Sequence, residues 1–452
     1  MLRQLGLCLF IAGCGTEDLG ASDASSSALD AAVHADAALV APDAAAPDAA
    51  APSCDVPVLP SGLVISEGGR VRVPDGLAVD APAGWILVDG WLRAPYGIEG
   101  ATAVVVRYRC SNGEERVASF DITVSRLSFT ALPAWVENTE GPSAREHPLF
   151  LVDGDRLLLY GGYAFRPRQF TLVKDLWSYD LRTNVWQSVT ATDAPALGGA
   201  RWARGPGPRE VVLLGGGDPN FNAQLVAHRL PIDGDAIWSP VLFTKPIEAQ
   251  TTQLGSLIYD APRARFISAC GITTDAPHCQ VGVLDTTQQS YSVLTPAGAA
   301  PSGRYGFFFA HDEENQRLVV FSGAQASVAA NPVNPAQDTW ALELDEDPVR
   351  WTKLLDADPA APGRRNGCTA FDPIGQRMFV WGGTPDARNT EQGLFAIDLL
   401  AGHERITRVD VPLAHATRSS CTGVYDPARK RILFGFGNNS TAIFADLVAL
   451  QL

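Results

Sequence analysis

Four arginines recur at one distance from an aspartate, in segments whose sequences resemble one another. Each stands eight residues before the aspartate of a predicted turn; the pairs are Arg145–Asp153, Arg304–Asp312, Arg364–Asp372 and Arg418–Asp426. A fifth segment has a shorter turn with Arg201 as the nearest equivalent, and a sixth has Thr252 at that position. Guanidinium groups bind carboxylates and sulfates through two parallel hydrogen bonds. If the segments surround one axis, up to five arginines converge on a mouth that binds an anionic ligand.

The same pattern has a structural interpretation. Each arginine would pair with a carboxylate, or cap loop carbonyls of the neighbouring segment, and would recur because the segment recurs. We also assign His147, two residues beyond Arg145, to the predicted mouth, although a lone histidine is more often a packed side chain. Both interpretations of the arginines remain open at this point.

Sequence motifs for known catalytic centres are missing. The chain contains no HExxH, GxSxG, P-loop or dinucleotide-binding fingerprint. His278 adjoins a pair of cysteines, but one histidine and two thiols have poor spacing for zinc, and we expect a disulfide there instead. The sequence therefore predicts no catalytic residue, no metal and no cofactor.

A short apolar phrase that begins with arginine and ends in glycine occurs six times. The copies are RLLLYGG (156–162), REVVLLG (209–215), RFISACG (265–271), RLVVFSG (317–323), RMFVWGG (377–383) and RILFGFG (431–437). A turn and another apolar run precede each phrase, and a polar loop, an alternating run and a short aromatic-led run follow it. Period-two alternation with turn-sized gaps predicts four β-strands per copy.

Six four-stranded units recurring about every 50 residues resemble the kelch repeat, over roughly residues 143–452. The resemblance implies an all-β fold, a six-bladed kelch-type β-propeller spanning residues 127–452. Three copies depart from the kelch glycine pair, with Cys270, Ser322 or Phe436 as its first member. Residues 127–142, which carry an otherwise unassigned Trp135, are predicted to supply the closing strand of the last blade.

Residues 54–126 alternate apolar and polar positions and contain turn-sized gaps, which predicts a small Ig- or cadherin-like β-sandwich. Six cysteines follow residue 14, an even number that favours disulfides in an exported protein. We expect Cys54 to bond Cys110 within the sandwich and Cys270 to bond Cys279 locally. Cys368 and Cys421 are predicted to bridge blades five and six.

The first 14 residues predict export and lipid attachment. MLRQLGLCLFIAGC has one arginine, an apolar run and small residues before Cys14, and it resembles the bacterial lipobox; an ordinary cleaved signal is the alternative. Residues 15–53 are almost entirely Ala, Asp, Ser and Pro, a composition that predicts a disordered tether. These segments place the protein in the bacterial cell envelope, lipid-anchored at the outer membrane or cell surface.

A formal net charge of −15 without a basic block argues against nucleic-acid partners and against electrostatic binding to anionic lipid. The membrane contact expected is the lipid anchor alone, and the protein is expected to be monomeric. The function predicted is non-catalytic recognition of a protein or glycan, with acidic groups favoured by the arginines. The alternative is a carbohydrate-active enzyme, of epimerase or oxidase type, that uses the mouth of the central channel.

Overall fold

The computed structural model describes Cys54 and residues 57–452, apart from 167–168, 208, 221, 233–235, 244–251, 275, 327–334, 386–389, 391–392 and 413–414. The chain divides into two compact units, Met1–Ser53 and Cys54–Leu452. Cys14 and the predicted tether lie outside the described residues. Among those described, all regular structure is β-strand except one short 3-10 helix, Ala261–Arg263. None of the described segments forms a helix that is long and apolar enough to cross a lipid bilayer.

Within the described part of residues 127–452, six antiparallel sheets have four strands each. Sheet I contains Leu149–Asp153, Arg156–Tyr160, Leu176–Asp180 and Val185–Val189; sheet II contains Arg201–Arg204, Glu210–Leu214, Ala227–Pro231 and Ser239–Pro240; sheet III contains Ile258–Asp260, Arg265–Ile272, Pro277–Asp285 and Ser290–Leu294. Sheet IV contains Phe308–Asp312, Arg317–Phe321, Thr339–Glu343 and Arg350–Leu355; sheet V contains Cys368–Asp372, Arg377–Trp381, Leu394–Asp398 and Arg405–Val409; sheet VI contains Thr422–Asp426, Arg431–Gly435, Leu447–Gln451 and Ser128–Ala131.

Each sheet has two apolar faces, and a neighbouring sheet covers each of them. One buried cluster joins sheets I and II, and further clusters join II to III, III to IV, IV to V and V to VI. A sixth cluster, which includes Phe436 and Trp186, joins sheet VI back to sheet I. An isolated four-stranded sheet would leave both faces in water, so this cyclic packing is what buries the apolar residues of every copy.

The recurring glycine pair has a left-handed backbone in all six sheets. At its first position φ is 53–70°, which Cys270, Ser322 and Phe436 tolerate. At its second position φ is 85–132°, and glycine occurs in every copy. In sheets II to VI the N–H of this second glycine donates to a carbonyl of the next sheet, as from Gly323 to Arg364 O (3.0 Å). A glycine therefore marks each phrase because the backbones of adjacent sheets approach closely there.

Replacing Gly437 by alanine should measure this constraint. A Cβ at Gly437 would lie 2.3 Å from Ser419 O and 2.7 Å from Cys421 Cβ. Gly402 is the matched control, because its φ is also positive (+73°) but a Cβ there meets nothing within 4 Å. We expect Gly437→Ala to lower the free energy of unfolding by roughly 2 kcal/mol more than Gly402→Ala in urea titrations. Equal losses would contradict the close-approach explanation.

The last sheet takes its fourth strand from Ser128–Ala131, which pairs antiparallel with Leu447–Gln451. Phe129 faces Leu450 there, the position at which Trp186 faces Tyr179 in sheet I. Trp135 was expected on this strand, but the strand ends at Ala131, and Pro133 has no N–H to continue the ladder. The Trp135 ring instead packs between sheets VI and I, with its centroid 5.9 Å from that of Phe436.

Residues 57–126 form two smaller sheets around one apolar core. The first contains Leu63–Ser66, Glu115–Ser125, Gly100–Arg109 and Ala78–Asp80; the second contains Arg70–Arg72, Trp91–Arg93 and Ile86–Val88. Buried side chains from both sheets, among them Leu92, Val106 and Ile122, share the core. We refer to this region as the N-terminal domain.

Three cysteine pairs are joined as disulfides. Cys54 bonds Cys110 in the N-terminal domain, and Cys270 bonds Cys279 across neighbouring strands of sheet III. Cys368, on the first strand of sheet V, bonds Cys421, which directly precedes the first strand of sheet VI. Disulfides of this kind are typical of proteins outside the cytoplasm.

Candidate functional site

Four of the five arginines predicted for the mouth are buried inside their own sheets. Arg145, Arg304, Arg364 and Arg418 are each at most 1% exposed. The side chain of Arg304 donates to Asp338 Oδ1 (2.7 Å), and that of Arg145 donates to both carboxylate oxygens of Asp175 (2.5 and 2.9 Å). Arg418 pairs with Asp446 in the same way. The geometry supports the structural interpretation, so we do not propose these four as ligand contacts.

The partner aspartates stand immediately before the third strand of their sheets. Burial alone would raise the pKa of Asp338, but the hydrogen bond and charge of Arg304, with the Trp340 indole N–H, lower it below its ordinary value. In sheet V, Gly393 occupies this position. Arg364 there lies over the ring of Phe395, with its guanidinium carbon 4.0 Å from the ring centroid. The recurrence of this aspartate was the sequence signal for the pairing.

Six residues, each two beyond the arginine position, form a ring that we call the collar; in sheet II that position is occupied by Leu197 and not by the predicted Arg201. Its members, in sheets I to VI, are His147, Gly199, Leu254, Gly306, Asn366 and Ser420, all with φ of 50–63°. Five collar residues donate their backbone N–H to the collar carbonyl of the preceding sheet, as from Leu254 to Gly199 O (2.8 Å) and from Gly306 to Leu254 O (3.0 Å). The bond from His147 to Ser420 O (2.6 Å) connects sheet I to sheet VI. The first strands of the six sheets thus begin around one axis, and the collar narrows the space around that axis.

The residue before each collar residue contributes to a second layer, which we call the rim. Its members are Glu146, Gly198, Gln253, Tyr305, Arg365 and Ser419, each bridged to the residue that follows the glycine pair of its own sheet. Side chains of the rim bond one another and these bridging residues. Arg365 donates to the Tyr305 hydroxyl (2.5 Å), and Asn438 donates from Nδ2 to Glu146 Oε1 (2.6 Å).

Two residues predicted for the mouth, His147 and Arg201, do lie beside this axis. Burial lowers the pKa of His147 to about 3, and the charges of Arg201 and Arg365 add to the effect, so the imidazole is neutral at physiological pH. Burial also lowers the pKa of Arg201 to about 10, which leaves it charged. Burial raises the pKa of Glu146 above its ordinary value, although the hydrogen bond from Asn438 acts to lower it. Sequence counting assigned Arg364 to the axis, whereas the structure places its neighbour Arg365 there.

Together with the adjoining Arg201 and Tyr163, the collar and rim present two guanidinium groups, a neutral imidazole and two phenolic hydroxyls. Glu146 is the single carboxylate among the six rim residues. This set suits recognition of a ligand with carboxylate or hydroxyl groups, because it supplies charged donors in a partly dehydrated setting. Two surface cavities, of about 420 and 330 Å³, lie elsewhere, beside Lys353 and beside Arg263. No group of three or more His, Cys, Asp or Glu side chains among the described residues is arranged to hold a metal ion.

The fold has a counterpart among solved structures. The structure titled "Structure of YjhT" aligns with a TM-score of 0.52 and 11% sequence identity, covering 70% of this chain and 99% of YjhT. YjhT is a kelch-like β-propeller protein, so the likeness shows a shared propeller-like, all-β fold. No protein-family model matches the chain, and no curated protein sequence matches it.

Proposed function

We propose that residues 127–452 form a six-bladed kelch-type β-propeller, preceded by an Ig- or cadherin-like sandwich. The proposal is supported by six four-stranded sheets with cyclic packing, and by the two-sheet core of the N-terminal domain. We further propose that lipid on Cys14 and a tether at 15–53 display this body in the bacterial cell envelope. The three disulfides support an oxidising location outside the cytoplasm.

The function that this geometry supports best is non-catalytic recognition of a protein or glycan by the face that carries the collar. The observation that carries it is that most charged groups near the collar are already bonded to other groups of the protein. Arg145, Arg304 and Arg418 are ion-paired within their sheets, and Glu146 and Arg365 form hydrogen bonds with neighbouring side chains. General acid–base catalysis usually employs a pair of titrating groups set at different pKa values, and the rim has one carboxylate.

A carbohydrate-active enzyme, of epimerase type, is the second candidate. One observation favours it: Glu146 is buried, its pKa is raised, and it lies near the phenol of Tyr163, whose pKa is raised by burial and by the charges of Asp218 and Glu146. A carboxyl group with a raised pKa is a candidate proton carrier. An oxidase needing a Tyr–Cys cross-link is disfavoured, because the six cysteines after Cys14 are all in disulfides.

Binding of the full chain to arrays of acidic and neutral glycans, and to cell-envelope proteins, tests the proposed function. We expect Arg365→Ala to weaken binding at least 10-fold, because a charge-assisted hydrogen bond is worth about 1.5–3 kcal/mol. Arg107→Ala, in an exposed ion pair of the N-terminal domain, is the matched control and should leave the affinity unchanged. Unchanged binding by Arg365→Ala would refute recognition at the rim. Turnover of a bound sugar that is lost in Glu146→Gln would select the enzyme instead.

A further inference from the structure

Sheet VI differs from the other sheets at one corner. In sheets I, III, IV and V a short turn joins the third strand to the fourth, as between Glu343 and Arg350 in sheet IV. In sheet VI the third strand is Leu447–Gln451 and the fourth is Ser128–Ala131, which directly follows the N-terminal domain. No turn connects these two strands, so the sheet has an open corner.

The arginine that opens each repeated phrase shows what lies at this corner. In sheet IV, Arg317 donates to Leu399 O (2.6 Å), the residue after the third strand of sheet V. The equivalent Arg377 of sheet V would reach the end of the third strand of sheet VI. It donates instead to Glu67 O (2.5 Å) and Ser66 Oγ (2.6 Å) of the N-terminal domain. The N-terminal domain thus occupies the place of the missing turn.

Glu67 connects that domain to the closing strand. Its side chain is 1% exposed and accepts hydrogen bonds from Leu127 N (2.9 Å) and Gly97 N (2.6 Å). Arg126 lies 3.3 Å from the same carboxylate. Leu127 is the residue immediately before Ser128–Ala131, and its side chain belongs to the core between sheets V and VI. Glu67 therefore fixes the point at which the closing strand enters its sheet.

A buried ion pair holds the domain against sheet V. Arg93 and Asp398 are each 1% exposed, and Arg93 Nη1 lies 2.8 Å from Asp398 Oδ1. Arg93 also donates to Gly375 O (2.7 Å), and the Tyr96 hydroxyl donates to Asp398 Oδ1 (2.9 Å). Dehydrating two charges is costly unless their geometry is well satisfied. A spacer joined by a loose linker would leave these groups in water.

We infer that the N-terminal domain is the clasp of the ring. It replaces the missing corner of sheet VI and holds the start of the closing strand, so that the strand does not depend on its own few ladder hydrogen bonds. This role is independent of any ligand and of the lipid anchor. It predicts that removing contacts of the N-terminal domain destabilises the two paired strands 128–131 and 447–451 first, and leaves the sheets on the opposite side of the ring unchanged.

Hydrogen–deuterium exchange on the full chain in detergent tests this role, with Glu67→Ala as the variant. We expect amides of 128–131 and 447–451 to exchange at least 10-fold faster, while those of 339–343 in sheet IV stay unchanged. Asp80→Ala is the control, because Asp80 forms an exposed ion pair with Arg107 in the same domain (50% and 48% exposed). It should alter neither region.

Two results would overturn the inference. If amides of 128–131 and 447–451 exchange at the wild-type rate in Glu67→Ala, the N-terminal domain does not stabilise these two strands. Equally faster exchange in 339–343 would show that Glu67 stabilises residues 54–452 as a whole rather than the paired strands 128–131 and 447–451.

If Glu67→Ala does not accumulate as folded protein, Arg377→Lys provides the readout, since lysine retains a charge beside Asp372. We expect at least 3-fold faster exchange in the closing strands of that variant, and no change there would equally refute the clasp.

Discussion

Replacing Asp338 by alanine is expected to lower the free energy of unfolding by about 3–5 kcal/mol. The substitution leaves the guanidinium of Arg304, which is fully buried, without its carboxylate. It also removes the acceptor of the Trp340 indole N–H (2.8 Å). Urea denaturation followed by tryptophan fluorescence measures the effect, since Trp340 lies in the affected sheet.

Two variants separate the loss of the pair from general damage. Glu346→Ala breaks an exposed ion pair with Arg350 in the same sheet (43% and 47% exposed) and should change stability by less than about 1 kcal/mol. Arg304→Met combined with Asp338→Ala removes the stranded charge and should regain part of the loss. A loss below about 1 kcal/mol for Asp338→Ala alone would show that Arg304 is not held by this pair.

Removing the disulfide between sheets V and VI should have the second large effect. Cys368 and Cys421 are 53 residues apart, and the loop-closure entropy of such a bridge corresponds to about 4 kcal/mol. Cys270 and Cys279 are 9 residues apart, for which the same relation gives about 2.5 kcal/mol. The double serine variant of the longer bridge should therefore unfold at a lower urea concentration than that of the shorter one.

If the variant lacking the Cys270–Cys279 bridge unfolded at the lower urea concentration, the stabilisation would not come from restricting the unfolded chain. Local packing around Cys270 would then dominate. Both double variants leave every remaining cysteine of the described residues in a disulfide, so neither substitution creates an unpaired thiol there. Non-reducing peptide mapping of each variant before unfolding verifies that the remaining two bridges are unchanged.

Much of the strand pattern could be predicted because the same contacts recur. An example is the aspartate that stands five residues before the phrase-opening arginine in sheets III to VI. In sheet IV the two residues face each other across the hairpin, and Arg317 Nε lies 2.8 Å from Asp312 Oδ2. Repeating the same ion pair in sheets III, V and VI makes the spacing visible in the sequence.

The residues that face the axis could not be predicted in the same way. Counting along a strand assumes that side chains alternate between its two faces. Each collar residue, such as Asn366, has a left-handed backbone, which breaks that alternation before the strand begins. The prediction therefore chose Arg364 where the structure exposes Arg365 to the axis.

The contacts of the N-terminal domain had no repeat to reveal them. Glu67 and Arg93 each occur once, in a segment whose composition is ordinary for a small β-domain. Their partners, Arg377 and Asp398, belong to the repeated pattern and appeared fully explained by it. Only the three-dimensional arrangement shows that these four residues meet at the open corner of sheet VI.

The collar combines a uniform backbone with side chains that all differ in type apart from its two glycines. Five of its backbone N–H groups already donate to a collar carbonyl of the preceding sheet and so are not free to bind a ligand. Discrimination must then come from imidazole, isobutyl, amide and hydroxyl groups, each of which occupies a single sixth of the circle. A molecule seated on the axis would consequently adopt one rotational setting out of six, which gives an apparently symmetric scaffold an orientation-specific seat.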